Sequence, residues 1–307
     1  MRTAFVKSLC DLAAADDRIW LVSGDLGYGT LEPYLERVPD RFINAGVAEQ
    51  NMIGVAAGLA MTGKIVFVYS IANFPTLRCL EQIRNDVCYH QARVHIVAVG
   101  GGFTYGAQGY THHGVEDLAI LGALPELTVL APGDPVEARL LVPQMIDLPG
   151  PSYLRLGRAG EQVVHGGDVP DVRIGQATLV RKGTRLTFIS IGAMLPVALA
   201  AADQLAAEGI DARVLSMHTL KPLDKLAVMT AVHETGAIVT VEEHTPHGGL
   251  GSRVADVLIS EGVLPRFAQF AIPPGLTKTV GSQSYLRSLM GDLAQTARQL
   301  IGNGDRA

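Results

Sequence analysis

Apolar positions recur along the chain with two periods, and the periods alternate. The opening stretch, about Arg2–Ala15, has the spacing of an amphipathic helix, and "IWLVSGDL" follows it as a strand. After a polar, Pro-containing connection comes "INAGVAEQNMIGVAAGLAMTGK", Ile43 to Lys64, which reads as a helix of almost wholly small or apolar residues. "KIVFVYSI" is enriched in β-branched and aromatic residues and reads as a strand. "TLRCLEQIRNDVCYH" returns to helical spacing, with Leu77, Leu80, Ile83 and Val87 on one face. "RVHIVAVGGG" is a buried strand that ends in glycines. "LTVLAPGDPVEARLLVPQMI" is a strand and then a helix, with Asp134 as N-cap and Pro135 at the first helical position.

The rhythm pauses over "PSYLRLGRAGEQVVHGGDVPDVRIGQATLVRKGT", rich in Gly, Pro and charge, which reads as a connection carrying short strands. It then resumes. "LTFISIG", "DARVLSM", "AIVTVEE" and "RFAQFAI" read as strands. "LPVALAAADQLAAEG" (stopped by Gly209), "GLGSRVADVLISEG" and "QSYLRSLMGDLAQTARQLI" read as helices. Strands alternating with helices predict an α/β chain: two successive domains with mainly parallel sheets flanked by helices. We place them at 1–165 and 181–307, with a linker at 166–180.

A length of 307 residues suits two domains. Hydrophobic content of 48% with only 6% aromatics and 34 glycines suits aliphatic layers packed closely on helices. The net charge of −5 and the absence of a basic block argue against nucleic acid as a partner. Cys10, Cys79 and Cys88 are odd in number and lack metal-ligand spacing, so free thiols in a reducing compartment are expected. The N-terminus does not read as a secretory signal, and no apolar run is long enough to span a membrane. A soluble cytoplasmic protein is expected.

Candidate chemistry begins with Glu49, a single carboxylate entering an apolar helix. Such a group is costly to bury without a partner; the plain alternative is a helix-start carboxylate favoured by the macrodipole. "GGGFTYGAQGYTHHG", Gly100 to Gly114, is a glycine-rich loop after a strand, where α/β folds bind ligands. Its His112 and His113 read equally as a solvated surface turn. Adjacent histidines do not readily face one metal ion. "YLRLGR" offers Arg155 and Arg158, either anion ligands or surface arginines. "VEEHTPHGGLGS" places Glu242, Glu243, His244 and His247 before a helix start that can hold an anion, with packing or an interface as the plainer role.

Singly these are weak, but their order is specific. "AGVAEQNMIGVAAGLAMTG", "YSIANFPTLRCLEQIRND", "GYTHHGVEDLAILGALPELTVLAPGDPVEA", "YLRLGR" and "VEEHTPHGGLGS" together resemble the transketolase family over nearly the whole chain. The likeness is to the C-terminal half of transketolase and deoxyxylulose-phosphate synthase, a pyrimidine-binding domain followed by a C-terminal domain. It implies thiamine diphosphate as cofactor. It places Glu49 against N1′ of the aminopyrimidine, where a carboxyl held away from water shares a proton and activates the cofactor. Phe74 matches an aromatic that packs on the pyrimidine, and Ile71 a neighbouring position that is often aromatic in the family. His112, in Thr111-His112-His113, matches a histidine that contacts substrate oxygens. Asp25 matches an aspartate near the thiazolium. Arg158, or else Arg155, matches the arginine that holds a substrate phosphate.

The departures carry equal weight. Gln108 stands where the family has an aspartate that reads a sugar hydroxyl. Gly100 stands where it has a phosphate-contacting histidine, and Gly29 near a phosphate-holding serine. These changes favour a larger, altered or unphosphorylated substrate. "SGDLGYG" is not the family's G-D-G…N motif for diphosphate and Mg²⁺. The resemblance therefore implies a separate N-terminal subunit that carries this motif and binds most of the Mg²⁺, in an α2β2 assembly with the cofactor between subunits. The expected reaction is transfer of a two-carbon ketol unit from a ketose to an aldehyde through a carbanion–enamine. Alternatives are a pyruvate-using subunit, like deoxyxylulose-phosphate synthase or a 2-oxo-acid dehydrogenase beta subunit, or a non-catalytic stabilising subunit.

Overall fold

The computed structural model describes residues 1–166 and 171–302. Residues 167–170, inside the expected linker, and 303–307, at the end of the expected second domain, lie outside them. In chain order the elements are α1 (Arg2–Ala15), β1 (Ile19–Ser23), α2 (Glu32–Arg37), β2 (Phe42–Asn44), α3 (Glu49–Met61), β3 (Ile65–Ile71), α4 (Leu80–Gln82), β4 (Val94–Val99), α5 (Asp117–Ala123), β5 (Thr128–Leu130), α6 (Pro135–Met145) and β6 (Ser152–Leu156). Then come β7 (Thr178–Arg181), β8 (Leu186–Ser190), α7 (Leu195–Ala206), β9 (Ala212–Ser216), β10 (Thr219–Lys221), α8 (Lys225–Thr235), β11 (Ala237–Val241), α9 (Leu250–Ser260), β12 (Arg266–Phe270), α10 (Gln283–Ser288) and α11 (Leu293–Gly302).

Two sheets result. The first has the order β10-β5-β6-β4-β3-β1-β2, and the second β12-β11-β8-β9-β7. Pairing is parallel except at one edge of each sheet, where β10 runs antiparallel to β5 and β7 antiparallel to β9. The alternation of strand side chains sorts residues between layers. From β3, Ile65, Phe67 and Tyr69 pack with Phe5 and Leu9 of α1 and with Ala138 and Val142 of α6. Val66 and Val68 face the other way, onto Met52 and Ile53 of α3. That second layer continues without a break to Ile189, Leu215 and Ile238 of the second sheet. The far face of the second sheet is covered by α7 and α11 through Ala198, Leu205, Ala294 and Ala297. Each fully buried Val, Leu or Phe contributes roughly 1.5–3 kcal/mol, against about 0–1 kcal/mol for an exposed ion pair. These layers, not the surface charges, hold the fold.

Local sequence explains several boundaries. Asp134 caps α6 as expected, its Oδ1 accepting from Glu137 N at 2.8 Å with Pro135 at the first helical position. Gly209 adopts φ +78° just past α7. Other expectations need correction. The helix expected over 76–90 is a set of turns up to Cys79, then α4 and a wide helical turn over Ile83–Cys88. Leu77 is therefore exposed, while Cys79, Ile83 and Val87 face the core. The final helix is two, broken at Gly291 (φ +105°) and restarted by Asp292, whose side chain accepts from Gln295 N. Thr178–Arg181, one of the short strands expected in the connection, forms an edge of the second sheet. The second half also lends β10 to the first sheet, so the two units are stitched together and not merely adjacent.

Candidate active site

The sequence motifs converge because parallel strands leave their carboxyl ends along one rim. Gly24 and Asp25 follow β1, Glu49 lies beyond β2, and Phe74 follows β3. The loop with His112 follows β4, and Arg158 follows β6. Glu49 is the first residue of α3 and is 4% exposed. Gly24 leaves room beside it: a Cβ there would stand 3.7 Å from Glu49 Cγ and 3.4 Å from Met52 Sδ.

Glu49 is not a plain helix-start carboxylate. Its Oε2 accepts from Arg78 Nη1 at 2.9 Å. The Arg78 guanidinium in turn lies over the Phe74 ring, 4.4 Å from its centroid. The ring of His112 meets Phe74 edge-on at 5.3 Å. The fold thus brings Glu49, Phe74 and His112 into one cluster, joined by an arginine that sequence reasoning missed. Cys79 lies just below; burial and the neighbouring Glu49 charge push its thiol up to about 12, so it is inert.

The loop from Gly100 to Gly114 is held from both sides. Asn73 donates to the carbonyls of Thr111 and His113, at 3.2 and 2.7 Å. His113 is buried with its Nε2 3.2 Å from Gly106 O. His112 is half-buried with its Nδ1 3.0 Å from Thr111 Oγ1. The adjacent histidines therefore have separate surroundings. Burial, with His113 and Arg78 adding to it, holds the His112 imidazole below the ordinary 6.5, so it is neutral near pH 7. At Gly100 (φ +105°) a Cβ would lie 2.5 Å from the Tyr105 ring, so that aromatic fills the space a side chain there would take.

Arg155 is only 5% exposed and is consumed internally. Its Nε lies 3.0 Å from Asp117 Oδ2, and its Nη2 donates to the carbonyls of Gly114 and Glu243. Tyr153 donates to the same Asp117 oxygen at 2.5 Å. Of the two candidate anion ligands, Arg155 thus has Nε and Nη2 engaged inside the fold, where they tie the two halves of the chain together. Arg158 is exposed on the wall of a cleft of about 300 Å³ shared with Thr104, Gln162, Gln283 and Arg287. The helix start after "VEEH" is already satisfied from within, since the Glu242 carboxyl accepts from Leu250 N at 2.7 Å and Gly251 N at 2.8 Å. Glu243 takes a two-pronged pair from Arg287, both contacts at 2.8 Å.

The remaining candidates stand apart from the Glu49 cluster. Asp25, in the left-handed region (φ +59°), accepts from Asn44 Nδ2 at 2.9 Å and Tyr28 OH at 2.7 Å. Those bonds hold its carboxyl below the usual range, so it is ionised at neutral pH. Ile71 is half-buried at the end of β3, and its carbonyl accepts from Phe74 N. Gln108 is exposed at the loop tip, and Gly29 gives its N–H to Glu32.

Comparison with known proteins fits this layout. The transketolase pyrimidine-binding domain profile matches residues 1–160, and the transketolase C-terminal domain profile matches residues 175–281. The chain belongs to the transketolase family. It is 41% identical over 265 residues to an apulose-4-phosphate transketolase subunit of Phocaeicola vulgatus, covering 86% of this chain and 85% of that one. It is 39% identical over 259 residues to a 6-deoxy-6-sulfo-D-fructose transketolase subunit of a Clostridium species, covering 84% and 80%. Among solved structures, a split-gene transketolase described as an inactive beta4 tetramer superposes with a TM-score of 0.85 at 36% identity, covering 98% of this chain and 96% of that one.

Within this transketolase-family chain, Arg78, Asn73 and Tyr105 had no distinguishing signal in the sequence.

Proposed function

We propose that this chain is the C-terminal subunit of a two-component transketolase-like enzyme that moves a two-carbon ketol unit from a ketose donor to an aldehyde acceptor. The observation that carries the reading is the buried Glu49 carboxylate clustered with Phe74 and His112. That site suits an aminopyrimidine: a carboxylate 4% exposed whose hydrogen-bond partner comes from a half-exposed side chain, beside an aromatic face. Thiamine diphosphate, when bound, supplies the electron sink for the two-carbon unit. Glu49 holds the proton at the pyrimidine N1′, and Phe74 supports the ring. Neutral His112 offers a donor and an acceptor to substrate oxygens. Asp25 is a fixed negative charge for the thiazolium side, and Arg158 an exposed anion ligand.

The diphosphate and Mg²⁺ are assigned to a separate N-terminal subunit with the G-D-G…N motif, in an assembly of two copies of each chain. In support, "SGDLGYG" does not carry the G-D-G…N motif that the family resemblance assigns to that role. The beta4 tetramer of the split-gene relative is inactive. A modified sugar is the proposed substrate class. Gln108, Gly100 and Gly29 replace the residues that the family resemblance assigns to simple sugar phosphates, and two relatives are named for apulose-4-phosphate and 6-deoxy-6-sulfo-D-fructose. A cytoplasmic location is proposed with it. Cys10, Cys79 and Cys88 are unpaired, and no helix among the described residues is long and apolar enough to cross a membrane.

The test is reconstitution. The purified chain, an N-terminal partner, thiamine diphosphate and Mg²⁺ are mixed with modified and ordinary ketose donors and an aldehyde acceptor, and the extended ketose is measured. Transfer only with both chains present is expected. Release of carbon dioxide from pyruvate in place of transfer overturns the ketol-transfer reading, and full transfer without the partner overturns the two-subunit reading.

A further inference from the structure

We propose that Arg78 is a built-in occupant of the pyrimidine pocket, a plug that must swing away before the cofactor ring enters. The inference rests on the thiamine reading above. Its basis is the shape of what already fills the site. The guanidinium is a planar group that donates through its edge to Glu49 Oε2 at 2.9 Å and lies over the Phe74 ring at 4.4 Å. An aminopyrimidine is also planar, also presents a π face and also meets a carboxyl at its edge, through a proton shared at N1′. A ring that takes Glu49 Oε2 and the face of Phe74 under the guanidinium competes with Arg78 for both.

The exposures give the direction of exchange. Glu49 is 4% exposed and fixed at the start of α3, whereas Arg78 is 51% exposed on the turns before α4. In the single chain, the arginine is the one of the two with solvent to move into. Its backbone is anchored independently, because Arg78 O accepts from Gln50 Nε2 at 3.1 Å. The side chain can therefore leave while the segment stays docked on α3. With the plug in, the chain's buried carboxylate is neutralised and its aromatic face covered; a ring reaching the pocket must first displace both contacts. A half-exposed ion pair plus a guanidinium–aromatic contact is weak enough for a ligand anchored elsewhere by its diphosphate to displace. It is strong enough to discourage the ring alone.

Equilibrium binding of thiamine diphosphate with Mg²⁺ to the reconstituted two-subunit assembly, followed by titration calorimetry without substrate, tests this. Arg78→Ala is expected to tighten the dissociation constant by roughly three- to thirtyfold, the worth of the two lost contacts. Arg78→Lys keeps the charge without the planar fork and is expected to fall between Arg78→Ala and the unsubstituted chain. An unchanged or weaker affinity in Arg78→Ala overturns the plug, and weaker binding would make Arg78 a ligand of the cofactor. If the unsubstituted assembly takes up no cofactor, the thiamine reading itself fails and the plug falls with it. Uptake that is indifferent to Arg78 removes the plug alone.

Discussion

Asp117 and Glu49 are both the first residue of a helix, both carboxylates and both nearly out of water, at 1% and 4% exposure. Their partners differ. Asp117 faces Arg155, itself 5% exposed, and Tyr153, fully buried, and the same arginine donates onward to two carbonyls. Glu49 faces Arg78, half in solvent. In the first case every group is walled in, and removing one strands the others. In the second, the partner keeps access to water, and the proposed exchange with a ligand uses that difference. Burial of a carboxylate does not by itself mark a functional site; the two differ in whether the partner that neutralises it is itself buried or half in solvent.

Four measurements would sharpen or break that contrast. The largest effect is expected from Glu49→Ala. Turnover of the reconstituted enzyme should fall by roughly 10²–10⁴-fold, while denaturant unfolding of the chain changes by less than about 1 kcal/mol. Undiminished turnover would remove Glu49 from the chemistry. Next, Arg155→Ala leaves Asp117 buried with the Tyr153 hydroxyl but no counter-charge, and the unfolding free energy should drop by about 3–5 kcal/mol. A loss as small as that of Glu49→Ala would show the seam to be no clamp.

The third contrast is pH. Burial pushes His244 down to about 4, so its contribution to stability is full above 6.5 and lost as pH falls through about 4. Burial pushes Glu242 up to about 7, so its contribution is full below 4.5 and lost as pH rises through about 7. The two oppose each other between those limits. Replacing His244 by Asn should leave stability falling from pH 4.5 to 7 in thermal melts; a curve still rising over that range would contradict the assignment. The smallest effect concerns glycines. Gly54, on the open face of α3, has no atom within 4 Å of the place a Cβ would occupy, so Gly54→Ala should stabilise the isolated chain by about 0.5–1 kcal/mol. Gly102→Ala drives a methyl into the Glu243 carboxylate at φ +65° and should destabilise it. Equal effects at the two positions would argue against the difference in packing.

The alternation of periods made the layered α/β architecture legible, down to the bounds of α1 and the cap of α6. It did not reveal β10, because three residues carry no readable period, nor the break at Gly291, because a lone glycine inside helical spacing is ambiguous. The ordered motifs singled out Glu49, Phe74 and His112, and the fold clusters them. They could not separate Arg155 from Arg158. The two lie three residues apart, and the difference between them is that one points into Asp117 and the other into a cleft.

The layers, the family and the candidate residues at the rim were readable in line, because periodicity and motif order are properties of the chain taken in order. Tertiary structure alone decided which charges meet. Glu49 and Arg78 are 29 residues apart, Asp117 and Arg155 38 apart. Such partnerships depend on how strands from distant segments register in one sheet and on which partner is left in contact with water. Neither quantity is written in any local stretch.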